Sequence, residues 1–437
     1  MDFHTLADDC SRLTSMDSEI WAEREVDRSF EWDGNVLKST EVSQDQGMML
    51  RVASEDKIGS AYANGDHLKP NQLVKNAETA RNWVEAEPDR SLSETTEQSS
   101  KSNEWLDPCF EQSPSRRTKR VEEAIREHVD CEQLKTLQVT YGERSRETEL
   151  YRKHQLRVSQ GYTSFSFGVW AVCEEDGDVE TGYERQSARL YQNLEPIRVI
   201  KTALRRARRQ LGAEPASRHR GPMVLSTSAS SQLLRLVRQM IDGESMIHGR
   251  SAWTKNELGE SVAGKDLTVV DDPVQKGGAA CREFDDEGMP MEAVNVIEDG
   301  ILRHFLTNQY VACHAGISDT HRARRTYRNR PSVGHTNLVL KTKRSKKDPV
   351  EELGNGPVIT DLQTGSGLDP VAGRFSVGAK GYHVVDGEFS GSFQEGTLSG
   401  SIEEFLDHIL VAGESYPTGY QIASPALLVE GLTLGGA

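Results

Sequence analysis

Apolar and polar residues along the first ninety positions follow a pattern that predicts strands and then a helix. Asp33-Gly34 separates two apolar-rich runs, which is typical of a tight hairpin, and "GMMLRVA" and "IGSAYA" continue the strand pattern. Pro70 then opens a stretch with apolar residues at helical spacing, namely Leu73, Val74, Ala77, Ala80 and Val84. The chain is therefore expected to begin with a strand–helix unit.

A second strand–helix set follows in the next hundred residues. A helix is predicted over "TKRVEEAIREHVDCEQL", and strands then flank a hairpin at Asp176-Gly177. The segment "PIRVIKTALRRARRQLGA" predicts an amphipathic helix with one apolar face. Its other face carries four arginines, Arg205, Arg206, Arg208 and Arg209. The repeated order suggests a duplicated arrangement.

Two polar stretches indicate how the chain is divided. Residues 88–117 contain almost no β-branched apolar residue, so we interpret them as a long exposed loop. Residues 214–222, "EPASRHRGP", are the best candidate for a domain boundary. We therefore predict an N-terminal α+β domain over residues 1–217 and a C-terminal β-rich domain over residues 218–437.

The second half begins with a strand, "MVLST", and a helix, "SSQLLRLVRQMIDG", and then becomes rich in glycine-separated strands. Hairpins are predicted at Asp299-Gly300 and Asp386-Gly387. A late helix, "SIEEFLDHILVAG", is expected to start with a capping box from Ser401 to Glu404 and to end at Gly413. Because helices and strands mix without regular βαβ alternation, the predicted fold class is α+β.

Composition narrows the class of protein. The 437 residues carry 52 Lys and Arg against 68 Asp and Glu, and the net charge of -16 argues against general affinity for nucleic acid or anionic membranes. The longest apolar run, Phe167 to Cys173, is far short of the roughly 20 residues of a membrane helix, and the start lacks a secretory pattern. The six cysteines form no CxxC pair and read as reduced thiols. We expect a soluble, cytoplasmic protein with no membrane partner.

The segment "GGAACREFDDEGMP", residues 277–290, concentrates one cysteine and four acids. Strand-like runs on both sides place Phe284, Asp285, Asp286, Glu287 and Gly288 on a strand-to-strand connection, where Gly288 is free to adopt a positive φ. Carboxylates in such turns usually accept hydrogen bonds from backbone amides. A metal or acid–base site is the alternative.

Other catalytic patterns are weak. None of the twelve histidines begins an HExxH motif, and the nearest ligand pair, His128 with Cys131, is better explained as helix surface plus a core thiol. Adjacent Cys313 and His314 project in different directions from a helix or a strand. The chain also has no GxSxG and no phosphate-binding glycine loop.

Residues 321–347 depart from the acidic composition, with ten Lys and Arg, no acid and an interleaved Tyr327. Such a stretch can contact phosphates or an acidic partner. The alternative is a solvated loop followed by the strand "TNLVL", which the net charge favours. We therefore expect no nucleic-acid partner.

Longer motifs resemble one family. Residues 264–316 contain the FD-x-EG turn and a DG hairpin, and residues 353–413 contain the run "GRFSVGAKGYHVVDGE". Both are similar to the TldD/PmbA family, and the likeness extends back through "VCEEDGDVETGYERQSARLYQNLEPIRVIKTALRRA". Residues 88–117 are matched least. The resemblance implies a two-domain α+β fold and a heterodimeric metalloprotease in which the TldD branch carries zinc on an HExxxH helix and on a cysteine near its C-terminus. The PmbA branch, also called TldE, lacks those ligands.

The helix corresponding to that motif is "SQLLRLVRQMIDGES", with Leu233, Leu234, Arg235, Leu236, Gln239 and Met240. The resemblance places the first histidine on Leu234 or Arg235 and the second on Gln239 or Met240. No histidine lies between His219 and His248, and no cysteine follows Cys313. The chain is therefore assigned to the PmbA branch, without a catalytic or metal-binding residue of its own, and residues 284–288 become a candidate cavity or interface turn.

The function implied by this resemblance is that of a non-catalytic subunit of a zinc metalloprotease acting on unfolded or small peptides. We expect no cofactor on this chain and zinc on a TldD-like partner in a heterodimer, with a homodimer as the alternative. Two other functions stay open. One is a DNA- or gyrase-associated regulator that uses Arg322, Arg324 and Arg325. The other is a stand-alone hydrolase that uses Cys281 or Cys313.

Overall fold

Seven strands form one sheet in the N-terminal part of the computed structural model, which describes residues 3–65, 69–92, 99–152, 155–344 and 347–436. The sheet order is β3-β2-β1-β5-β6-β4, and β7 also pairs with β6. All pairs are antiparallel except β4 with β6. The predicted hairpin at Asp176-Gly177 is confirmed, and the one predicted at Asp33-Gly34 is present with Gly34 and Asn35 as its two turn residues. The strands are β1 (Asp17–Asp33), β2 (Val36–Ser54), β3 (Lys57–Asn64), β4 (Ser100–Trp105), β5 (Leu134–Arg152), β6 (Gln155–Glu175) and β7 (Asp178–Ala188).

Helices cover this sheet: α1 (Phe3–Leu13), α2 (Pro70–Trp83), α3 (Ser115–Arg126) and α4 (Pro196–Gln210). Helices α2 and α4 both have proline in the first turn, where the missing N–H costs nothing. Helix α4 lies on β6 and β7. It comes so close that a Cβ at Gly182 would stand 2.1 Å from the carbonyl oxygen of Ala203, so the glycine permits this packing.

Two predictions in this region are wrong. The exposed loop over 88–117 contains β4, a short 3₁₀ helix (Pro108–Glu111) and the start of α3, and residues 93–98 lie outside the described residues. Strand β4 has few apolar residues, so its sequence did not indicate a strand. Parallel backbone pairing with β6 holds it in place. The helix predicted over 118–134 ends at Arg126, so His128 and Cys131 lie beyond it.

The C-terminal part contains a ten-stranded sheet of order β21-β23-β10-β17-β19-β20-β24-β9, with β18 on β19 and β8 on β20. Its strands are β8 (Glu214–Pro215), β9 (His219–Arg220), β10 (Met223–Leu225), β17 (Gly356–Gln363), β18 (Leu368–Asp369), β19 (Arg374–Val385), β20 (Glu388–Ser401), β21 (Ile409–Ala412), β23 (Leu427–Val429) and β24 (Thr433–Gly435). The connection at 214–222, chosen from sequence as a boundary, thus contributes β8 and β9 to this sheet. The division into two domains at residue 217 stays a prediction.

A five-stranded sheet of order β13-β12-β11-β16-β22 and a two-stranded β14-β15 pair complete the C-terminal strands of the described residues. The strands are β11 (Leu267–Asp271), β12 (Val294–Glu298), β13 (Ile301–Leu302), β14 (Ala323–Arg324), β15 (Ser332–Val333), β16 (Leu338–Thr342) and β22 (Ile422–Ala423). The helices are α5 (Thr227–Met240), α6 (Gly243–Ile247), α7 (Gln309–Ala315), α8 (Pro349–Leu353) and α9 (Ile402–Asp407), with 3₁₀ turns at Tyr191–Asn193 and Lys255–Glu257.

The late helix is shorter than its sequence pattern predicts. The capping box of Ser401 and Glu404 is confirmed, but α9 ends at Asp407. Ile409–Ala412 forms β21 instead and pairs with β23, because its β-branched residues fit the apolar sheet. The hairpins at Asp299-Gly300 and Asp386-Gly387 are confirmed.

The largest apolar core lies in the C-terminal part, and the buried face of α5 is inside it. Strands outnumber helices in both parts, so the predicted α+β, β-rich class is confirmed. Among the described residues, no helix combines the length and the apolar character needed to cross a membrane.

Candidate functional site

A large cleft of about 2760 Å³ runs between the N-terminal and C-terminal parts. One side is built from α4 and strands β5–β7, and the other from α5, β17, β19 and the loop before β22. Pockets for small ligands usually measure about 300–1,000 Å³. The size therefore suits a segment of a macromolecule better than a small metabolite.

The polar face of α4 forms a cationic wall. Residues at helical spacing point from it into the cleft, namely Arg198, Lys201, Thr202, Arg205 and Arg209, while the opposite face packs into the core. Lys201 and Arg205 are exposed and have no ion-pair partner in the described part of the chain. These two charges are available to an occupant of the cleft.

The facing wall is a polar row on α5. This helix starts at the N-cap Ser226, whose hydroxyl accepts from the amide of Ala229 at 3.2 Å. From that start, Ser228, Ser231, Gln232, Arg235 and Gln239 line the cleft with the same periodicity as the α4 row. Gln232 is fixed to β17, because its Oε1 accepts from the amide of Leu362 at 2.8 Å and its Nε2 donates to Asp361 at 3.1 Å. The wall is therefore rigidly placed.

The charge of the cleft is opposite to that of the whole chain. Fifteen lysine and arginine side chains line it against seven acidic ones, an excess of eight positive charges in a chain of net charge -16. A concave region with one sign of charge concentrates field lines and attracts counter-charged ligands. The lining of the cleft therefore carries a net positive charge in an acidic protein.

Several buried nitrogen atoms in the cleft have no hydrogen-bond partner among the described residues. They are Nε of Arg146, Nη2 of Arg198, Nε of Arg238 and Nε2 of His335. Burial, and then the nearby Arg238, lowers the pKa of His335 to about 4, so the imidazole is neutral at neutral pH. The three arginine N–H groups are left for water or for the oxygen atoms of a ligand.

Aromatic rings stand beside the charged groups. Trp170 and Tyr183 lie with ring centroids 5.6 Å apart and are both about half exposed, and Arg209 lies 4.3 Å from the ring of Tyr382. All four residues line the cleft. The walls therefore offer flat apolar surfaces as well as cations, a combination suited to a chain with mixed side chains.

The positions that the resemblance assigns to zinc ligands do not fit zinc. Leu234 and Met240 are buried in the apolar core, and Arg235 presents a cation to the cleft. Zinc sites use Cys, His, Asp or Glu, none of which occurs at Leu234, Arg235, Gln239 or Met240. Elsewhere in the described ranges, no group of three or more such residues is arranged to hold a metal ion.

The turn at 284–288 lies away from the cleft, against the N-terminal sheet. Asp285 accepts from the amides of Glu287, Met289 and Ala323, and Asp286 accepts from the amide of Arg325 at 2.8 Å. Gly288 has a φ of +84°, and Phe284 packs in a small apolar cluster with residues of the N-terminal sheet. Its role as a cavity or interface turn of an assembly stays a prediction.

Burial changes the acid strength of this turn. It raises the pKa of Asp285 to about 6 and that of Glu287 to about 8, and in Glu287 the neighbouring Asp285 adds to the effect. Glu287 therefore holds a proton at neutral pH. The same carboxyl accepts from the amide of Gln309 at 3.0 Å.

The basic stretch 321–347 does not form one exposed surface. Arg322 and Arg325 are buried, paired with Asp271 and Glu19, and Arg324 donates to the carbonyl of His335 at 3.0 Å. Arg322 and Arg325 are therefore not available to nucleic acid, which removes two of the three arginines named for the alternative DNA-associated function.

The cysteine-based alternative also finds no support in geometry. Cys281 is buried, its thiol donates to the carbonyls of Gln275 and Gly278, and burial raises its pKa. Cys313 is exposed on α7, and the ring of the adjacent His314 contacts Asp89 at 2.9 Å. His128 contacts the carbonyl of Ala124.

Sequence reasoning identified the α4 arginines but did not identify them as a site. Arg205, Arg206 and Arg209 line the cleft, whereas Arg208 donates to the carbonyl of Glu132. A usable signal was the absence of any acid between Pro196 and Gln210, since solvated helix faces usually mix both signs.

Comparison with known protein families matches nearly the whole chain. Residues 218–436 match the model described as the PmbA/TldA metallopeptidase C-terminal domain, residues 107–211 match the central domain and residues 19–81 match domain 1. The segments that match domain 1 and the central domain lie in one sheet, because β1 of the first pairs with β5 of the second.

Individual relatives agree with the family models. The "Metalloprotease PmbA" of Escherichia coli O157:H7 is 27% identical over 280 residues, which are 63% of this chain and 60% of the relative's length. TldE from Thermococcus kodakarensis has a TM-score of 0.84 at 19% identity, and a proposed modulator of a DNA gyrase from Thermotoga maritima has a TM-score of 0.90 at 20% identity. Each structural match covers 99% of this chain and 100% of the other, and each shows a likeness of fold. The chain therefore belongs to the PmbA/TldD family.

Proposed function

We propose that this chain is the zinc-free, peptide-binding subunit of a PmbA/TldD-type metallopeptidase that acts on unfolded or small peptides. The observation that carries the proposal is the position and content of α5. The helix lies along the cleft, where a peptide would pass, but the positions that correspond to zinc ligands carry Arg235 and Gln239 on the cleft side and Leu234 and Met240 in the core. Names of relatives such as the metalloprotease of Escherichia coli support the peptidase context.

In this proposal the zinc and the glutamate that activates water belong to a TldD-like partner. Zinc on that subunit would supply a Lewis acid and a nucleophilic water. This chain would bind and orient the peptide through the α4 and α5 walls and would exclude folded proteins by the width of the cleft. A heterodimer in the cytoplasm is part of the same proposal, with a homodimer as the alternative.

The test is to purify the chain alone and with a co-expressed TldD-like subunit. Zinc content and cleavage of an unfolded peptide are then measured on both samples. We expect neither zinc nor cleavage with the isolated chain, and both with the complex. A complex whose partner has lost the first histidine of HExxxH is the control, and it should assemble but lose both zinc and activity. Stoichiometric zinc and chelator-sensitive cleavage by the isolated chain would contradict the proposal.

A further inference from the structure

The cationic row on α4 matches an extended acidic peptide in length and spacing. From Arg198 to Arg209 the row spans about 17 Å at 1.5 Å per residue, equal to about five residues of extended chain at 3.3 Å each. Cations one turn apart are separated by about 5.4 Å, close to the roughly 6.6 Å between alternate side chains of a strand. Acids at every second position of a peptide would each meet a cation.

The facing wall favours a peptide over a nucleic acid. The α5 row contains Ser228 and Gln239, which can bond to both the N–H and the C=O groups of a backbone, whereas Ser231 and Gln232 are already bonded within the protein. Seven acidic side chains also line the cleft, among them Glu184 and Asp361, and a continuous phosphate backbone would meet them as like charges. A peptide can place uncharged residues at those points.

Cationic side chains of the cleft that still lack a hydrogen-bond acceptor also favour an acidic peptide as the ligand. Arg198 has one buried N–H without an acceptor although it already contacts Glu184 and Glu195, and Arg238 has one although it contacts Asp242. Lys201, Arg205 and Arg235 are exposed with no partner in the described ranges. Carboxylate oxygens would satisfy these groups with charge-assisted hydrogen bonds.

We propose that the cleft binds extended peptide segments rich in aspartate and glutamate, with alternate carboxylates paired to Arg198, Lys201 and Arg205 on α4 and to Arg235 on α5. The inference rests on the proposed function only for the peptide nature of the ligand. Acidic segments would thus be the preferred substrates delivered to the peptidase.

The experiment measures fluorescence polarisation of labelled peptides with the isolated chain, without any partner. The probes are an alternating Glu-Ser peptide of about ten residues, matched Gln-Ser and Lys-Ser peptides, and a single-stranded oligodeoxynucleotide of similar extended length. We expect the Glu-Ser peptide to bind at least about tenfold more tightly than the other two peptides at low salt, and to lose most of this advantage at about 0.5 M salt.

Two matched double variants locate the site. Lys201→Gln with Arg205→Gln removes two exposed cleft cations, and Arg116→Gln with Lys119→Gln removes two exposed cations of α3 that do not line the cleft. The first should weaken Glu-Ser binding about five- to tenfold and the second less than about twofold, given the usual contribution of exposed ion pairs. Neither pair has an ion-pair partner in the described ranges, so both variants should keep the wild-type melting temperature.

Equal binding of the Gln-Ser peptide, or an equal effect of the α3 variant, would overturn the inference. Tighter binding of the oligonucleotide, lost in the Lys201 and Arg205 variant, would also overturn it and assign the cleft to nucleic acid. Because no partner is present, acidic-peptide binding can be observed even if the reconstituted complex shows no peptidase activity. The two proposals can therefore fail separately.

Discussion

The carboxylate of Glu19 links the first long strand to the C-terminal part of the chain, and its neutralisation to glutamine should be strongly destabilising. Oε1 of Glu19 accepts from Nη1 of Arg325 at 2.5 Å and from Nη1 of Arg51 at 3.0 Å. The three side chains are 0%, 0% and 3% exposed, respectively. Burial also lowers the pKa of Arg51, which reflects the cost of this charge in the interior.

The expected magnitude follows from what the substitution leaves behind. Glutamine keeps the shape and one acceptor oxygen, but two buried guanidinium groups lose their counter-charge. Breaking a buried pair in this way costs about 3–5 kcal/mol. The control is Glu352→Gln, which breaks an exposed pair with Lys347 at 2.7 Å and should cost less than about 1 kcal/mol.

The assay is urea denaturation followed by tryptophan fluorescence, to which Trp21, one of six tryptophans, contributes from a ring 4.5 Å from Arg325. Glu19→Gln should lower the free energy of unfolding by about 3–5 kcal/mol, and adding Arg325→Met should cost less than the sum of the two single changes. If Glu19→Gln costs no more than Glu352→Gln, the carboxylate does not compensate the two arginines, and the reasoning is refuted.

Three further predictions concern other parts of the chain. The pKa of Glu287 is about 8 in the folded state against 4.5 when unfolded, so the stability of the fold should fall as pH rises from about 4.5 to 8. Melting temperatures measured across this range should depend less on pH in Glu287→Gln than in the wild type. An unchanged slope would contradict the raised pKa. Iodoacetamide should modify exposed Cys313 in the native protein before buried Cys281. Mass analysis of the labelled peptides over time measures the order. Early labelling of Cys281 would contradict its burial. Ser401→Ala removes the capping box of α9 and should lower the free energy of unfolding, measured in urea, by about 1 kcal/mol. Ser401→Asn keeps a side-chain acceptor and is the control. Equal losses in the two variants would show that the cap does not stabilise α9.

Features with a local cause could be predicted from the sequence. The hairpins at Asp176-Gly177, Asp299-Gly300 and Asp386-Gly387 need only two residues with positive φ, and α4 needs only its own apolar spacing. Strand β4 could not be predicted, because it is defined by pairing with residues 158–162 and not by its own composition. Local pattern was also misleading at 409–412, where the sheet overrode a helical periodicity.

Only part of the candidate site could be predicted from the sequence, for the same reason. The fate of Arg322 depends on Asp271, which lies 51 positions earlier, and nothing near Arg322 in sequence indicates that partner. The cationic row of α4 was visible, but its function as a wall depends on α5 lying across the cleft. Which basic residues are buried in pairs and which face the cleft is decided by tertiary contacts.

The short connection between α4 and α5 has a kinetic consequence for binding. It is not a loose tether, since β8 pairs with β20 and β9 pairs with β24, and the end of α4 is held by Gln210 donating to the carbonyl of Gly381 at 3.2 Å. The two walls therefore stand at a fixed separation before any ligand arrives, and little ordering cost is added on association. Capture of a charged peptide should then be limited by encounter, so that added salt slows its arrival more than it hastens its departure.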